Sequence, residues 1–433
     1  MSRPTISRLQ WRLLQLARTL WFRATLFSLL AIATAFIAVV LRPFIPDNIS
    51  AEVGANSVDN ILGVIASSML AVTIFSLSTM VSAYIAASSN VSPRAIRLLT
   101  EDGTVHNALG TFIGAFLFSL VGMIALSTGI YGEEGRLVLF VVSLAVIAFV
   151  VGTLLHWIDH VSKLGQVAST SDRIEQATAK AMRARHHNPY LGGQPQRADG
   201  NPVPADACAI YPDRVGYVQH LDMDALSELA GEHPGSSIFV ASPPGTLAEP
   251  TRPLAWVRGI PADEAREDLC DAFTIDELRS YDQDPRFGAA VLAEIASHAL
   301  SPGINDAGTA IDIIGRAVRI LWIWQEPRES DAEEVRFPQV HVPEIKVDDL
   351  FDDLFRPIAR DGAPIVEVGI RLQKALYALA RVDDPQFRRN AQHQSQQALQ
   401  RALAALTNEH DKQLLHVLAA QVAEIPSWKP GNR

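Results

Sequence analysis

Ile61 to Ala86 reads ILGVIASSMLAVTIFSLSTMVSAYIA and contains no charged side chain. A helix crosses the hydrocarbon core of a bilayer with about 20 consecutive apolar residues, because every backbone polar group must be bonded within the segment. Three further stretches meet that length: Trp21 to Leu41, Leu109 to Tyr131 and Leu137 to Ile158. The loops between them are short. The sequence therefore predicts an α-helical membrane protein with four transmembrane helices over 21–158, preceded by a basic segment, 1–20. The first stretch reads as a retained helix. The charged segment before it is long, and no small-residue cleavage site follows.

Charge divides the chain. Residues 1–185 hold 14 Lys and Arg against 10 Asp and Glu, whereas residues 186–433 hold 23 against 37. The membrane half is basic and the remainder acidic. An acidic domain argues against nucleic acid, whose affinity comes from cations neutralising phosphates. Positive residues also set orientation. Arg3, Arg8, Arg12 and Arg18 precede the first span, Arg94 and Arg97 follow the second, and Lys163, Arg173, Lys180, Arg183 and Arg185 follow the fourth. The other side has only Arg42 and Arg136. This predicts a multi-pass protein of the bacterial inner membrane with both termini cytoplasmic.

The second span is the polar one. At about 100° per residue, Ser67, Ser68, Ser78, Thr79 and Ser82 fall within roughly 120° of arc. Two readings stay open. Small residues spaced by four allow close helix packing, and a hydroxyl-rich face can line a hydrated path. No span carries a central Asp, Glu, Lys or Arg, which argues against an ion-coupled pump. His156, Asp159 and His160 close the fourth span. Their spacing brushes against a zinc-enzyme pattern, but polar residues are normal at a span's end and no third ligand is identifiable. Cys208 and Cys270 have no ligand-like spacing.

The fourth span is expected to run on into a helical extension, 159–185. A linker rich in Gly, Pro and Asn follows over 186–206. A small β-rich module occupies 207–260, with strands near Cys208–Tyr211, Arg214–His220, Ser237–Ala241 and Leu254–Val257 and a helix at Met223–Ala230. From 261 to 433 a helical cytoplasmic domain is expected, which with the β-rich module makes the cytoplasmic part mostly α (α+β). Asp284-Pro285 and Asp384-Pro385 are N-cap and first-turn pairs. SPGIND, at 301–306, breaks two helices near 285–300 and 307–324, and Gln325 to Lys346 reads as a polar connector. In a later helix, Ile365, Val368, Leu372, Leu376 and Leu379 mark a buried stripe.

The run FTIDELRSYDQDPRFGAAVLAEIASHALSPGINDAGTAIDIIGRAV, with the FRPIARDGA stretch at Phe355–Ala363, resembles the signature of a bacterial membrane-protein family, domain of unknown function 2254. The resemblance extends over nearly the whole chain. It implies four spans, an inner-membrane location and a cytoplasmic C-terminal domain; it brings no activity. Within the signature, Gln283, Asp284, Arg286, Ser301, Asn305 and Asp306 are expected to gather around the two starts of the helical hairpin. Helix capping is one role for them, with Arg286 pairing to a carboxylate. A recognition loop for an ion is the other. Asp348, Asp349, Asp352 and Asp353 are read as a solvated face in a helix's first turns.

No P-loop, G-x-G-x-x-G, G-x-S-x-G, CxxC or H-E-x-x-H is present. An enzyme is the least favoured class, and no cofactor is expected. Two functions stay in contention. One is an oligomeric channel or transport-type protein with a cytoplasmic regulatory domain. The other is a membrane-anchored sensor or scaffold whose acidic domain binds a cytoplasmic protein or small molecule. Both expect membrane lipid and further copies of the chain as partners.

Overall fold

The computed structural model describes residues 55–100, 102–128, 132–196, 203–327 and 335–426, with Thr25, Leu29 and Ala33 before them. The span expected at Trp21–Leu41 otherwise lies outside the described residues. The chain forms two compact units, divided between Thr170 and Ser171.

The first unit contains α1 (Ala55–Asn90), α2 (Ile96–Thr100), α3 (Gly103–Ser127) and α4 (Gly132–Lys163). Among the described residues, three segments are long and apolar enough to cross a membrane: Ser57–Ser89, Gly103–Ser127 and Arg136–Lys163. Helix α3 begins six residues before the expected Leu109. Capping chemistry decides this: the Asp102 carboxylate accepts from Thr104 N at 2.7 Å and starts the helix on polar residues. Helices α1 and α3 pack closely where Gly122 lies under Leu62, with only 3.1 Å between that side chain and the position of a Cβ. Val58, Leu62, Phe118 and Leu139 form one buried cluster. Ile65, Met69, Leu109, Phe112, Val150 and Trp157 belong to a second.

The expected continuous extension of the last span is broken. Helix α4 ends at Lys163, and α5 (Val167–His187) starts anew after three residues. Gly165, at φ +82°, makes the break, because a left-handed residue ends a helix and glycine adopts it without a Cβ penalty. A Cβ there would stand 3.0 Å from Ala83 O.

The second unit is mixed α/β. Its strands are β1 (Gly193–Pro195), β2 (Cys208–Ile210), β3 (Gly216–Leu221), β4 (Ser237–Val240), β5 (Leu247–Ala248), β6 (Ala255–Arg258), β7 (Phe273–Asp276) and β8 (Phe337–Val342). Helices α6 (Met223–Gly231) and α7 (Ala262–Ala272) lie among them in sequence. A five-stranded sheet has the order β1-β8-β4-β6-β2, and a three-stranded antiparallel sheet has the order β5-β3-β7. Their core includes Leu226, Ile238, Val257, Leu269, Phe273 and Val340. Six helices complete the unit: α8 (Pro285–Ala299), α9 (Ala307–Trp322), α10 (Val347–Asp361), α11 (Val366–Ala380), α12 (Pro385–Ala405) and α13 (Glu409–Ala423). Phe351 packs on Phe355 and edge-on against Phe387 at the centre of the α10–α12 contact.

Three sequence expectations change here. The linker over 186–206 supplies β1, which pairs in parallel with β8. The polar connector over 325–346 supplies β8, which lies inside the larger sheet between β1 and β4. The β-rich module therefore does not close at residue 260. Both strands are short, and both depend on parallel partners far away in sequence, so local periodicity carries little of their signal. In the stripe of α11, Val368, Leu372, Leu376 and Leu379 are buried, while Ile365 is half-buried at the N-cap.

Candidate functional site

Asp284 is the natural starting point because it is a carboxylate only 3% exposed. It caps α8 by accepting from Phe287 N at 3.1 Å. Arg279 grips it with two bonds, Nε to Oδ2 at 2.8 Å and Nη2 to Oδ1 at 3.0 Å. The turn before β5 presses on the same carboxylate. Gly245 has φ +93°, and a Cβ on it would lie 2.5 Å from Asp284 Oδ2. Burial pushes the Asp284 carboxyl above its ordinary range, and Arg279 opposes that shift. Next to it, Gln283 Oε1 accepts from Leu221 N at 3.1 Å, tying the end of β3 to the start of α8.

Arg286 extends the network to α10. Its Nη1 donates to Asp349 at 2.6 Å and its Nε to Asp353 at 2.7 Å. Asp348 accepts from Asn390 Nδ2 at 2.7 Å, and Asp352 from Gln394 Nε2 at 2.6 Å. The acidic turns expected to be a solvated face are exposed at Asp348 and half-buried at the other three, and they also receive bonds from α8 and α12. Each carboxylate has a partner, because α10 lies between two helices that carry donors on the facing sides.

The second half of the signature is elsewhere. Asp306 caps α9, with Oδ1 accepting from Thr309 N at 3.0 Å and Oδ2 from the Thr309 hydroxyl at 2.6 Å. That hydroxyl bond holds the Asp306 carboxyl below its usual range. Asn305 sits at φ +52°, and Ser301 O accepts from Ile304 N and Asn305 N. Gln283, Asp284 and Arg286 lie at one end of α8; Ser301, Asn305 and Asp306 lie past the other. Fifteen residues of helix separate the groups by about 22 Å, so the expected gathering does not occur.

Helix α5 is held along its length within the second unit. Arg316 on α9, 5% exposed, reaches Asp172 at 2.5 Å, Glu175 at 2.7 Å and Asp312 at 2.6 Å. Arg319 reaches the other oxygen of Glu175 at 2.6 Å. Gly288 of α8 lies directly on Thr178 of α5, where the position of a Cβ falls 2.0 Å from Oγ1. At its C-terminal end, Arg183 pairs with Glu326, and Arg185 Nη2 donates to Pro343 O at 3.0 Å. Arg185 is 4% exposed, and burial lowers its pKa to about 10, with Glu344 and Asp284 opposing. It remains a cation at neutral pH. Sequence reading singled out none of Arg279, Arg316, Gly245 or Gly288. Gly288 stands just past QDPRF, and a glycine inside a helix is the one signal that could have marked it.

In the membrane unit, the hydroxyls of Ser67, Ser68, Ser78, Thr79 and Ser82 each donate to the carbonyl four residues earlier, at 2.6 to 3.0 Å. All but the half-buried Thr79 are exposed on α1. Ser67, Ser78 and Ser82 thus form the open part of the face, Ser68 borders a groove with Ile147, Val150 and Leu154 of α4, and all five hydroxyls are satisfied on their own helix. The His156, Asp159 and His160 group does not converge. Asp159 binds Lys163 at 2.8 Å, and His160 binds Asp102 at 2.9 Å. Among the described residues, no group of three or more His, Cys, Asp or Glu is placed to hold a metal. Cys208 and Cys270 are free.

These features define a helical membrane protein carrying a mixed α/β unit, with its signature residues spent on joining elements of that unit. The chain belongs to the family of predicted membrane proteins designated DUF2254, whose model matches residues 17–378. Uncharacterised proteins of Mycobacterium bovis and Mycobacterium tuberculosis are each 25% identical to it over 237 residues, which cover 53% of this chain and 45% of theirs. The chain thus aligns with about half the length of these relatives. No solved structure matches it.

Proposed function

We propose that this is a multi-pass protein of the bacterial inner membrane that acts as a sensor, its cytoplasmic α/β unit binding a ligand and passing the change to the spans through α5. The apolar length of Trp21–Leu41 supports a fourth span, and the positive residues flanking the spans support cytoplasmic termini. One observation carries the reading: α5 follows the last span after only three residues and is fastened from Asp172 to Arg185 into the α/β unit. A helix that merely tethered a domain would need no such fastening.

Hydrogen–deuterium exchange on the full-length protein in nanodiscs tests it. Arg316→Ala should raise exchange in α5 and also around Asp102 and His160 of the membrane unit. A rise that stops within the α/β unit would leave α5 a passive tether and end the sensor reading.

The exposed hydroxyl face of α1 favours a second reading, an oligomeric channel. A face exposed at Ser67, Ser78 and Ser82 is free to meet further copies or water. Replacing Ser67, Ser78 and Ser82 together by Ala then changes flux through proteoliposomes. A change in assembly alone removes the channel and leaves a packing face.

A further inference from the structure

The contact between α10 and α12 contains a cleft of about 260 Å³ lined by Asp352, Arg356, His393, Gln394, Gln397 and Arg401. Every side chain that lines it carries a polar or charged group. Asp352, the one carboxylate, is already committed: Gln394 Nε2 donates to one oxygen at 2.6 Å, and Arg356 pairs with the other. Gln394 is 3% exposed, so that floor is fixed. Arg401 is pinned across the cleft by a single bond, from Nη1 to Arg356 O at 3.1 Å. No carboxylate pairs with Arg401 among the described residues, and its guanidinium lines the cleft. Two guanidiniums against one carboxylate leave the lining net positive.

That excess lies in the acidic part of the chain, where 37 Asp and Glu oppose 23 Lys and Arg over residues 186–433. Such a domain repels anions in general, so a cleft with surplus donors selects for one that fits. Guanidinium forks from two sides, with an amide and an imidazole between them, suit the oxygens of a tetrahedral oxyanion.

We propose that this cleft binds a phosphoryl group, carried either by a small metabolite or by a phospholipid headgroup. This deepens the sensor reading by naming its ligand chemistry and rests on that reading for its purpose, whereas binding is measured without it. The probe is inorganic phosphate, titrated calorimetrically into the full-length protein in neutral detergent, with chloride holding ionic strength constant. Saturable binding is expected. Arg401→Gln should weaken it by about tenfold or more, since a bond from a charged donor is lost. Gln397→Leu should weaken it less. Arg360→Gln, whose guanidinium pairs with the adjacent Asp361 and no other carboxylate among the described residues, should leave it unchanged. Repeating the titration in phosphatidylglycerol and phosphatidylcholine nanodiscs separates the sources. Competition by the anionic lipid assigns the headgroup, and undiminished binding assigns a soluble phosphate ester. Absence of saturation in the tens of millimolar, or equal binding by Arg401→Gln, overturns the site and leaves the exchange test on α5 standing.

Discussion

The polar residues of the two units are satisfied in opposite ways. On α1, Ser67, Ser68, Ser78, Thr79 and Ser82 bond to their own helix, four residues back. In the α/β unit, Arg279, Arg286 and Arg316 bond across elements, to residues on α5, α8 and α10 as well as on their own. A short hydroxyl reaches only its own backbone, so it leaves the position of its helix to apolar packing. A guanidinium reaches several acceptors at once, so it fixes the spacing and register of neighbouring helices. The lesson is that the polar residues of α1 leave its position to shape, whereas the guanidiniums of the α/β unit fix neighbouring elements, and substitutions should separate the two.

The largest effect is expected at Gly288. Gly288→Val drives a side chain into Thr178 at the crossing of α5 and α8, costing about 3 kcal/mol or more. Thermal unfolding of the detergent-solubilised protein measures it, and a shift within error would mean that α5 can move away freely. Arg316→Ala comes next. It leaves Glu175, whose side chain is 16% exposed, with Arg319 alone, while Asp172 and Asp312 are over half exposed and hydrate readily. About 2 kcal/mol is expected, below the cost of stranding a fully buried charge.

In the membrane unit the corresponding change is geometric. Gly165→Ala forces a Cβ onto the left-handed break beside Ala83, at about 1–2 kcal/mol, and should perturb α4 without touching any ion pair. Asp306→Ala removes a cap from α9 at about 1 kcal/mol, read as faster amide exchange in its first turn. Because the folded Asp306 carboxyl is held below 3.8, its contribution is present above that pH. It fades as pH falls through the lowered value, so wild type and variant should converge in acid. The smallest effect is expected for Ser78→Ala. Its hydroxyl already bonds to Ile74 O, so the change in stability should stay below about 0.5 kcal/mol. A larger loss would show that the face meets a partner and would blur the contrast between the units.

Some of this was legible residue by residue. The hydropathy of Ile61–Ala86 and Leu137–Ile158 located two of the three described apolar helices to within a few residues. Asp284 and Asp306 stand at N-caps because a short carboxylate before a helix bonds to backbone amides two and three residues on, a relation written in local sequence. Parallel pairing of β1 and β8 was not legible, because the partners are far apart in the chain and each is short. Nor was the separation of the two signature halves, which follows from the length of α8 rather than from the residues on either side of it.

By itself, then, the sequence determined what depends on near neighbours: the apolar helices, the caps, the basic and acidic halves, and membership of the family. Only the tertiary structure decided what each charged side chain meets. The acidic turns of α10 became acceptors for Arg286, Asn390 and Gln394, and Arg316 became the fastening of α5. The physical reason is range. Hydropathy and capping act within about one or two helical turns, whereas an ion pair is defined by where two distant segments come together in space.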